Sequence, residues 1–171
     1  MKNNNNKIEI CICRNPQDFD LAKKITLDYM VWLNMDLSFQ DIDKEFKIFE
    51  KMYGYPNGCF LYAKLNDEVA GGVAFRKFEK GICEMKRLFV YNVYRGRGVG
   101  KVLCLNLVKI AKSYGYLKMR LDTIARLETA NKLYENIGFY DIARYRENPD
   151  KTARFMEIDL LNLNGKNDFV F

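Results

Sequence analysis

A chain of 171 residues, 49% of them apolar and rich in Phe (12) and Tyr (11), has the length and composition of one globular domain with a sizeable core. Its net charge of +6 suits an anionic ligand or partner, and equally plain solubility. The absence of histidine excludes Ser-His-Asp and Cys-His catalysis, HExxH zinc chemistry and any imidazole base, which leaves proton transfer to carboxylates, Tyr, Lys, Cys or water.

Lys2 to Lys7 forms a polar tail that frays, and MKNNNNK lacks the apolar stretch of a signal peptide. No apolar run is long enough to span a bilayer, so the expectation is a cytoplasmic protein without membrane contact. Cys11, Cys13, Cys59, Cys83 and Cys104 are odd in number, form no C-x-x-C pair and mostly sit within apolar patterns. They read as free thiols of a reducing compartment.

Ile8, Ile10 and Ile12 alternate as in a strand. Asn15-Pro16 caps a helix that carries Leu21, Ile25, Tyr29 and Trp32 at helical spacing. A second helix is expected through Ile42, Phe46, Phe49 and Met52, ending at Gly54. Residues 58–65, 68–78 and 82–90 then form a three-stranded meander turning at Asn66-Asp67 and Lys80-Gly81. A helix from Gly98 to Tyr114 follows, with Val99, Leu103, Leu107 and Ile110 on its inner face. After it come a strand at 117–123, a helix from Glu128 to Ile137 stopped by Gly138, and a final hairpin of 140–145 with 153–160. The order β-α-α-β-β-β-α-β-α-β-β predicts an α+β fold in one domain: a mixed, mostly antiparallel central sheet of about seven strands flanked by about four helices.

Between strand and helix lies Arg95-Gly96-Arg97-Gly98-Val99-Gly100-Lys101. It is not a P-loop, because Gly100-Lys101 is followed by Val102, and not a dinucleotide fingerprint, because counting from Gly96 puts Lys101 where the last glycine belongs. Glycines nonetheless let successive amides turn toward one anion, the helix adds the positive end of its dipole, and Arg95, Arg97 and Lys101 add full charges. A plain basic turn capping a helix would carry the same residues.

R-x-x-G-x-G at Arg95, Gly98 and Gly100 resembles the acyl-CoA pyrophosphate loop of the GNAT superfamily of N-acetyltransferases. The later helix matches that family's A-x-x-L-Y-x-x-x-G-F pattern at Ala130, Leu133, Tyr134, Gly138 and Phe139. With the element order, the resemblance spans residues 8 to 160. CEMKRLFV, YRGRGVGK, RLDT and the ENP–FMEIDL ending look like a bacterial subgroup of unassigned substrate, from which Asn92-Val93 departs where Pro is common.

The resemblance implies an acetyl-CoA-dependent transfer of an acetyl group to a primary amine of a small molecule or peptide, by direct attack on the thioester and without a metal. It places the pantetheine arm along the main chain of Leu88, Phe89 and Val90, the pyrophosphate on the amides from Arg95 through Gly96, Arg97, Gly98, Val99 and Gly100 to Lys101, and Asn131 and Tyr134 beside the arm. An amide near Phe89 would meet the oxyanion, and Tyr134 would be the acid for the leaving thiolate. Glu84, eleven positions before Arg95, is the expected base, its pKa raised by partial burial, or else an ion-pair partner of Lys86 or Arg87; a water chain is the other route for the proton. Asp122 is a weaker candidate base, and otherwise a structural or substrate-orienting group. Tyr29, Trp32, Asp36, Asp41, the YGYP turn at 53–56 and Tyr145 are the candidates to meet the acceptor.

Two other readings fit part of the pattern. A catalytically silent acyl-CoA-binding sensor or scaffold would keep the loop without turnover. A nucleic-acid binder would use Arg95, Arg97, Lys101, Lys109 and Lys112, but no helix-turn-helix, zinc or RNP pattern accompanies them, and no nucleic acid is expected. Dimerisation is common in the family, and Phe169-Val170-Phe171 could pack on a second copy or on its own domain.

Overall fold

The computed structural model describes residues 7–34 and 42–163. Asp36, Asp41 and the apolar end Phe169-Val170-Phe171 lie outside the described residues. Strand β1 (Ile8–Ile12) leads to α1 (Pro16–Leu33), whose first turn is capped by the Asn15 side chain accepting the Asp18 amide at 2.9 Å. The expected second helix is two short ones, α2 (Ile42–Lys47) and α3 (Phe49–Tyr53), hinged at Ile48. Glu45, Phe49 and Tyr53 from this pair all turn inward.

The meander is β2 (Gly58–Leu65), β3 (Glu68–Glu79) and β4 (Ile82–Val90). Its first turn puts Asn66 and Asp67 at φ 54° and 66°, the paired left-handed residues of a tight hairpin. Then come α4 (Val99–Ser113), β5 (Lys118–Thr123), α5 (Glu128–Ile137), β6 (Tyr140–Asp141) and β7 (Arg154–Asp159). The seven strands lie in the order β1-β2-β3-β4-β5-β7-β6, all neighbours antiparallel except β4 and β5.

The last hairpin is shorter than its sequence suggests. Only Tyr140 and Asp141 pair with β7, and after the Ile142 amide bonds Phe155 O the chain leaves the sheet. The pull is electrostatic: Tyr145 and Arg146 turn inward to bond Glu84.

Two apolar clusters fill the two sides of the sheet. The larger joins Val99, Leu103 and Leu107 of α4 and Tyr134 and Ile137 of α5 to the sheet. The smaller joins Phe19, Ala22 and Ile25 of α1 and Phe49 and Tyr53 of α3 to Phe60, Ala74 and Phe89. Burial on both faces explains why β2 reads as a nearly continuous apolar run.

Strand β4 departs from regular pairing in two ways. First, Gly72 faces Phe89 and Ala74 faces Lys86, so Arg87 and Leu88 both stand opposite Val73. This is a β-bulge, with Arg87 at φ 63°. Gly71 permits the close approach beside it, since a Cβ there would lie 2.2 Å from Phe89 O. Second, β4 pairs with β5 only over Ile82–Glu84 and Lys118–Arg120. Beyond Glu84 the two parallel strands diverge and a cleft opens between them.

Candidate active site

The cleft holds a cavity of about 110 Å³. Lys86, Arg87 and Leu88 line it from β4, Asp122 and Thr123 from β5, Tyr29 and Trp32 from α1, and Ala130 and Tyr134 from α5, with Asn148 from the segment before β7. The bulge brings this about: the extra residue rotates Arg87, which would otherwise alternate to the opposite face from Lys86, so both cations meet the cavity.

At the far end of β4 the chain passes through a 3-10 turn (Asn92–Tyr94) into the glycine loop. Gly96 and Gly98 sit at φ 75° and 81°, and a Cβ on either would have nothing within 4 Å. The loop is therefore left-handed where only glycine is at ease, and open above. The first bond within α4 runs from the Val102 amide to Gly98 O, and no side chain caps the helix. The amides of Val99 and Gly100 thus head a 15-residue helix toward open space, with the exposed Arg97 and Lys101 beside them. Such a loop presents free amides and positive charge on one side, the chemistry an anion requires.

Arg95 lies differently from its two basic neighbours. Its Nε donates to Val90 O at 3.0 Å, and its guanidinium carbon stands 4.4 Å from the centre of the Trp32 ring. It is turned back toward its own strand and ties the end of α1 to the end of β4. Trp32, Tyr29 and Tyr91 in turn pack on Phe89, all with centroids within 6 Å of its ring.

Tyr134 is 7% exposed and lines the cavity. Burial raises its pKa well above that of a free phenol, helped by Cys104, Tyr29 and Asp122. It stays protonated and available as a donor. Asn131 is turned inward: its Oδ1 accepts from the Thr123 hydroxyl at 2.7 Å and its Nδ2 donates to Ile124 O at 3.0 Å. Both ends of the amide fasten α5 to the end of β5, so the side chain expected beside the arm has a positioning contact instead.

The expected raised pKa of Glu84 is reversed. Its side chain is fully buried, yet Arg76 Nη2 lies at 3.0 Å, Arg146 Nη1 at 2.6 Å, and the Tyr145 hydroxyl donates at 3.0 Å. Burial alone would raise its pKa; Lys86, Arg146 and Arg76 outweigh it and bring the value down to about 2. A carboxylate so stabilised is a poor proton acceptor, and it is not among the residues lining the cavity. Its close ion-pair partners are Arg76 and Arg146, where the sequence pointed to Lys86 or Arg87. Tyr145 is held on Glu84 and edge-on to Phe78 and Phe155, also away from the cavity lining.

Asp122 does reach the cavity. Its Oδ2 accepts from Asn148 Nδ2 at 2.8 Å, and its Oδ1 lies 3.6 Å from Lys86 Nζ and 3.8 Å from Arg146 Nη1. Arg87 pairs with Glu45 of α2 at 2.9 Å, both side chains 2% exposed, and the Tyr53 hydroxyl donates to the other Glu45 oxygen at 2.6 Å. Among the described residues no group of three Cys, Asp or Glu side chains is placed to hold a metal ion, and no helix is long and apolar enough to cross a membrane.

The structure thus brings Tyr134, Leu88, Asp122, Tyr29 and Trp32 to one cavity, and leaves Glu84 and Tyr145 behind its wall. Sequence reasoning missed Lys86, Arg87 and Asn148 as lining residues, and Arg146 as the partner of Glu84 behind them. The alternation of Glu84 with Lys86 was a usable signal, but the bulge that exposes Arg87 depends on register with β3.

The profile of the acetyltransferase (GNAT) family matches residues 26–139. An uncharacterized N-acetyltransferase of Schizosaccharomyces pombe is 35% identical over 155 residues, covering 90% of this chain and 95% of its own length. The likeness is therefore not confined to bacteria. An acetyltransferase crystal structure from Streptococcus agalactiae superposes with a TM-score of 0.71 at 26% identity, covering 89% of this chain and 98% of that one. The PaiA N-acetyltransferase of Thermoplasma acidophilum, solved in complex with coenzyme A, shares the fold with a TM-score of 0.65 at 19% identity, covering 90% and 99%. Glycine loop, bulged and diverging β4, and sequence kinship over nearly the whole length agree: the chain belongs to the GNAT family of acetyltransferases.

Proposed function

We propose that this protein moves the acetyl group of acetyl-CoA to a primary amine of a small molecule or peptide. The observation that carries this reading is the cleft between β4 and β5, which is lined by Tyr134, while the open glycine loop follows the far end of β4. The coenzyme A bound in the Thermoplasma relative supports the same ligand here. Acetyl-CoA supplies the activated thioester. The amides of Gly96 to Lys101 hold its diphosphate, and the unpaired edge of Leu88 to Val90 receives the arm.

The amine must lose a proton before it attacks, and its nitrogen then forms the new amide as the carbon–sulfur bond breaks. With Glu84 fixed in its ion pairs, the proton passes to water in the cavity, where Asp122 is the lining carboxylate. Tyr134 donates a hydrogen bond to the departing sulfur. Since burial holds the phenol's pKa high, it stabilises the thiolate as a donor, and the thiol proton is supplied by the second proton the nitrogen gives up as the amide forms, the first having passed to water. Free thiols at Cys13, Cys59, Cys83 and Cys104, all buried, support a reducing compartment such as the cytoplasm.

Thermal unfolding with acetyl-CoA, CoA, ATP and NAD at matched ionic strength tests the reading. Acetyl-CoA at about 100 times its dissociation constant should stabilise by about 2.7 kcal/mol, which for a chain of this size moves the midpoint by about 5–11 °C. Gly98→Glu, which fills the cradle with a carboxylate, should abolish the shift. If neither acetyl-CoA nor CoA shifts the wild type, the enzyme reading falls; binding without CoA release from any amine would favour the silent sensor.

A further inference from the structure

Lys86 is the least explained charge in the protein. Its side chain is 4% exposed and lines the cavity; the Glu84 and Asp122 charges both act on it, yet its one ion-pair contact among the described residues, to Asp122, spans 3.6 Å, outside hydrogen-bonding distance. Among the described residues its ammonium makes no hydrogen bond, although it carries three donors. Burying a lysine in this way is costly, and burial already lowers its pKa to about 8. A cost of this kind at a cavity wall is offset when a ligand brings the missing acceptor.

The neighbouring charges say which kind of acceptor. Arg76, Lys86 and Arg146 stand around Glu84 and Asp122, three cations to two carboxylates. The carboxylates are already occupied. Glu84 takes both arginines, and Asp122 takes the Asn148 amide on one oxygen and faces Arg146 with the other. One more anion beside Lys86 would balance the group. The CoA diphosphate is not that anion, because its cradle lies beyond the other end of β4, past Val90. The thioester is uncharged.

We propose that Lys86 binds a carboxylate of the acceptor, so that the amine acetylated here belongs to a small amino acid. This rests on the acetyltransferase reading above. Lys86 projects from the strand position just before the bulge, and Tyr134 lines the same cavity from α5. A carboxylate held at Lys86 would therefore hold its own amine, a few bonds away, in the space that Tyr134 borders. The volume of about 110 Å³ suits a compact head group of this sort.

The test has a kinetic arm and a binding arm. In the first, release of CoA thiol is followed for matched pairs, each an amino acid and its carboxamide, with wild type, Lys86→Met and Lys86→Arg. Wild type should favour the acids about tenfold to a hundredfold in kcat/KM, the usual worth of a hydrogen bond to a charged group. Lys86→Met should bring the ratio near one by raising KM for the acids far more than for the carboxamides, and Lys86→Arg should restore part of it. Equal loss with both members of a pair would mean that Lys86 serves the thioester or the proton transfer, and would overturn the proposal.

The binding arm needs no turnover. The same amino acids should raise the unfolding midpoint of CoA-saturated wild type and not that of CoA-saturated Lys86→Met, whose own response to CoA should be intact. No effect of any amino acid on CoA-saturated wild type would sink the carboxylate site while leaving the CoA site standing. No response to CoA at all would instead sink the acetyltransferase reading beneath it.

Discussion

Replacing Glu84 by Gln separates a structural carboxylate from a catalytic one. The substitution keeps the shape, removes the charge, and leaves Arg76 and Arg146 against a neutral amide in a place where the native side chain has no exposure. The folded carboxyl titrates at about 2, against about 4.3 for a free glutamate, a displacement worth about 3 kcal/mol. Breaking a buried ion pair by removing one partner costs a similar amount, about 3–5 kcal/mol. For a chain of this length, 3 kcal/mol lowers the unfolding midpoint by about 6–12 °C. Because the folded value lies below the unfolded one, the contribution is complete above about pH 4.3 and is lost as pH falls toward 2. Thermal denaturation of both proteins between pH 7 and pH 3 should show a gap that is constant near neutrality and narrows at the acid end. Turnover should fall only as far as the folded fraction falls. An unchanged midpoint with kcat reduced a hundredfold or more is the signature of a general base, and it would refute this account of Glu84.

Three other substitutions probe the cleft. Tyr134→Phe should lower kcat by about a hundredfold while the acetyl-CoA-induced midpoint shift persists; undiminished turnover would remove Tyr134 from the chemistry. Glu45→Ala takes the carboxylate from a pair in which both side chains are 2% exposed, and should cost about 3–5 kcal/mol in a denaturant titration; a loss under 1 kcal/mol would mean that α2 does not brace the bulge. Gly71→Ala forces a Cβ to within 2.2 Å of Phe89 O. Overpacking of this kind costs about 1–3 kcal/mol, and because the strain falls on the carbonyl of a residue expected along the arm, acetyl-CoA binding should weaken too, as calorimetry would register.

Local chemistry made much of this protein legible before its structure. The Asn15-Pro16 cap, the Asn66-Asp67 turn, the glycine loop and the Gly138 stop are each written within a few residues, and each stands where expected. What lay hidden depends on distant partners. The bulge at Arg87 exists only in register with Gly72 and Ala74, and a strand read alone shows unbroken alternation. The state of Glu84 depends on Arg146, 62 positions away, in a segment whose apolar and aromatic residues mimic a strand. Its burial was foreseen in part, but the balance between burial and three cations was not, and that balance reverses the sign. Asn131 was likewise placed correctly on its helix, while the Thr123 and Ile124 groups that occupy its amide belong to another element.

The Glu84 cluster stands at the last residue of β4 that pairs with β5, which makes it the vertex of a wedge. Arg76 reaches it from β3 on one side, and Arg146 and Tyr145 reach it from the segment between β6 and β7 on the other. These contacts clamp the two leaves of the sheet at the point from which they swing apart. From Glu84 to Val90 is six residues, about 20 Å of strand, so a rotation of about 5° at the vertex would move the mouth by about 1.7 Å. A charge buried far from the reacting atoms can in this way set the calibre of the channel, as the rivet of a pair of shears sets the gape of its blades.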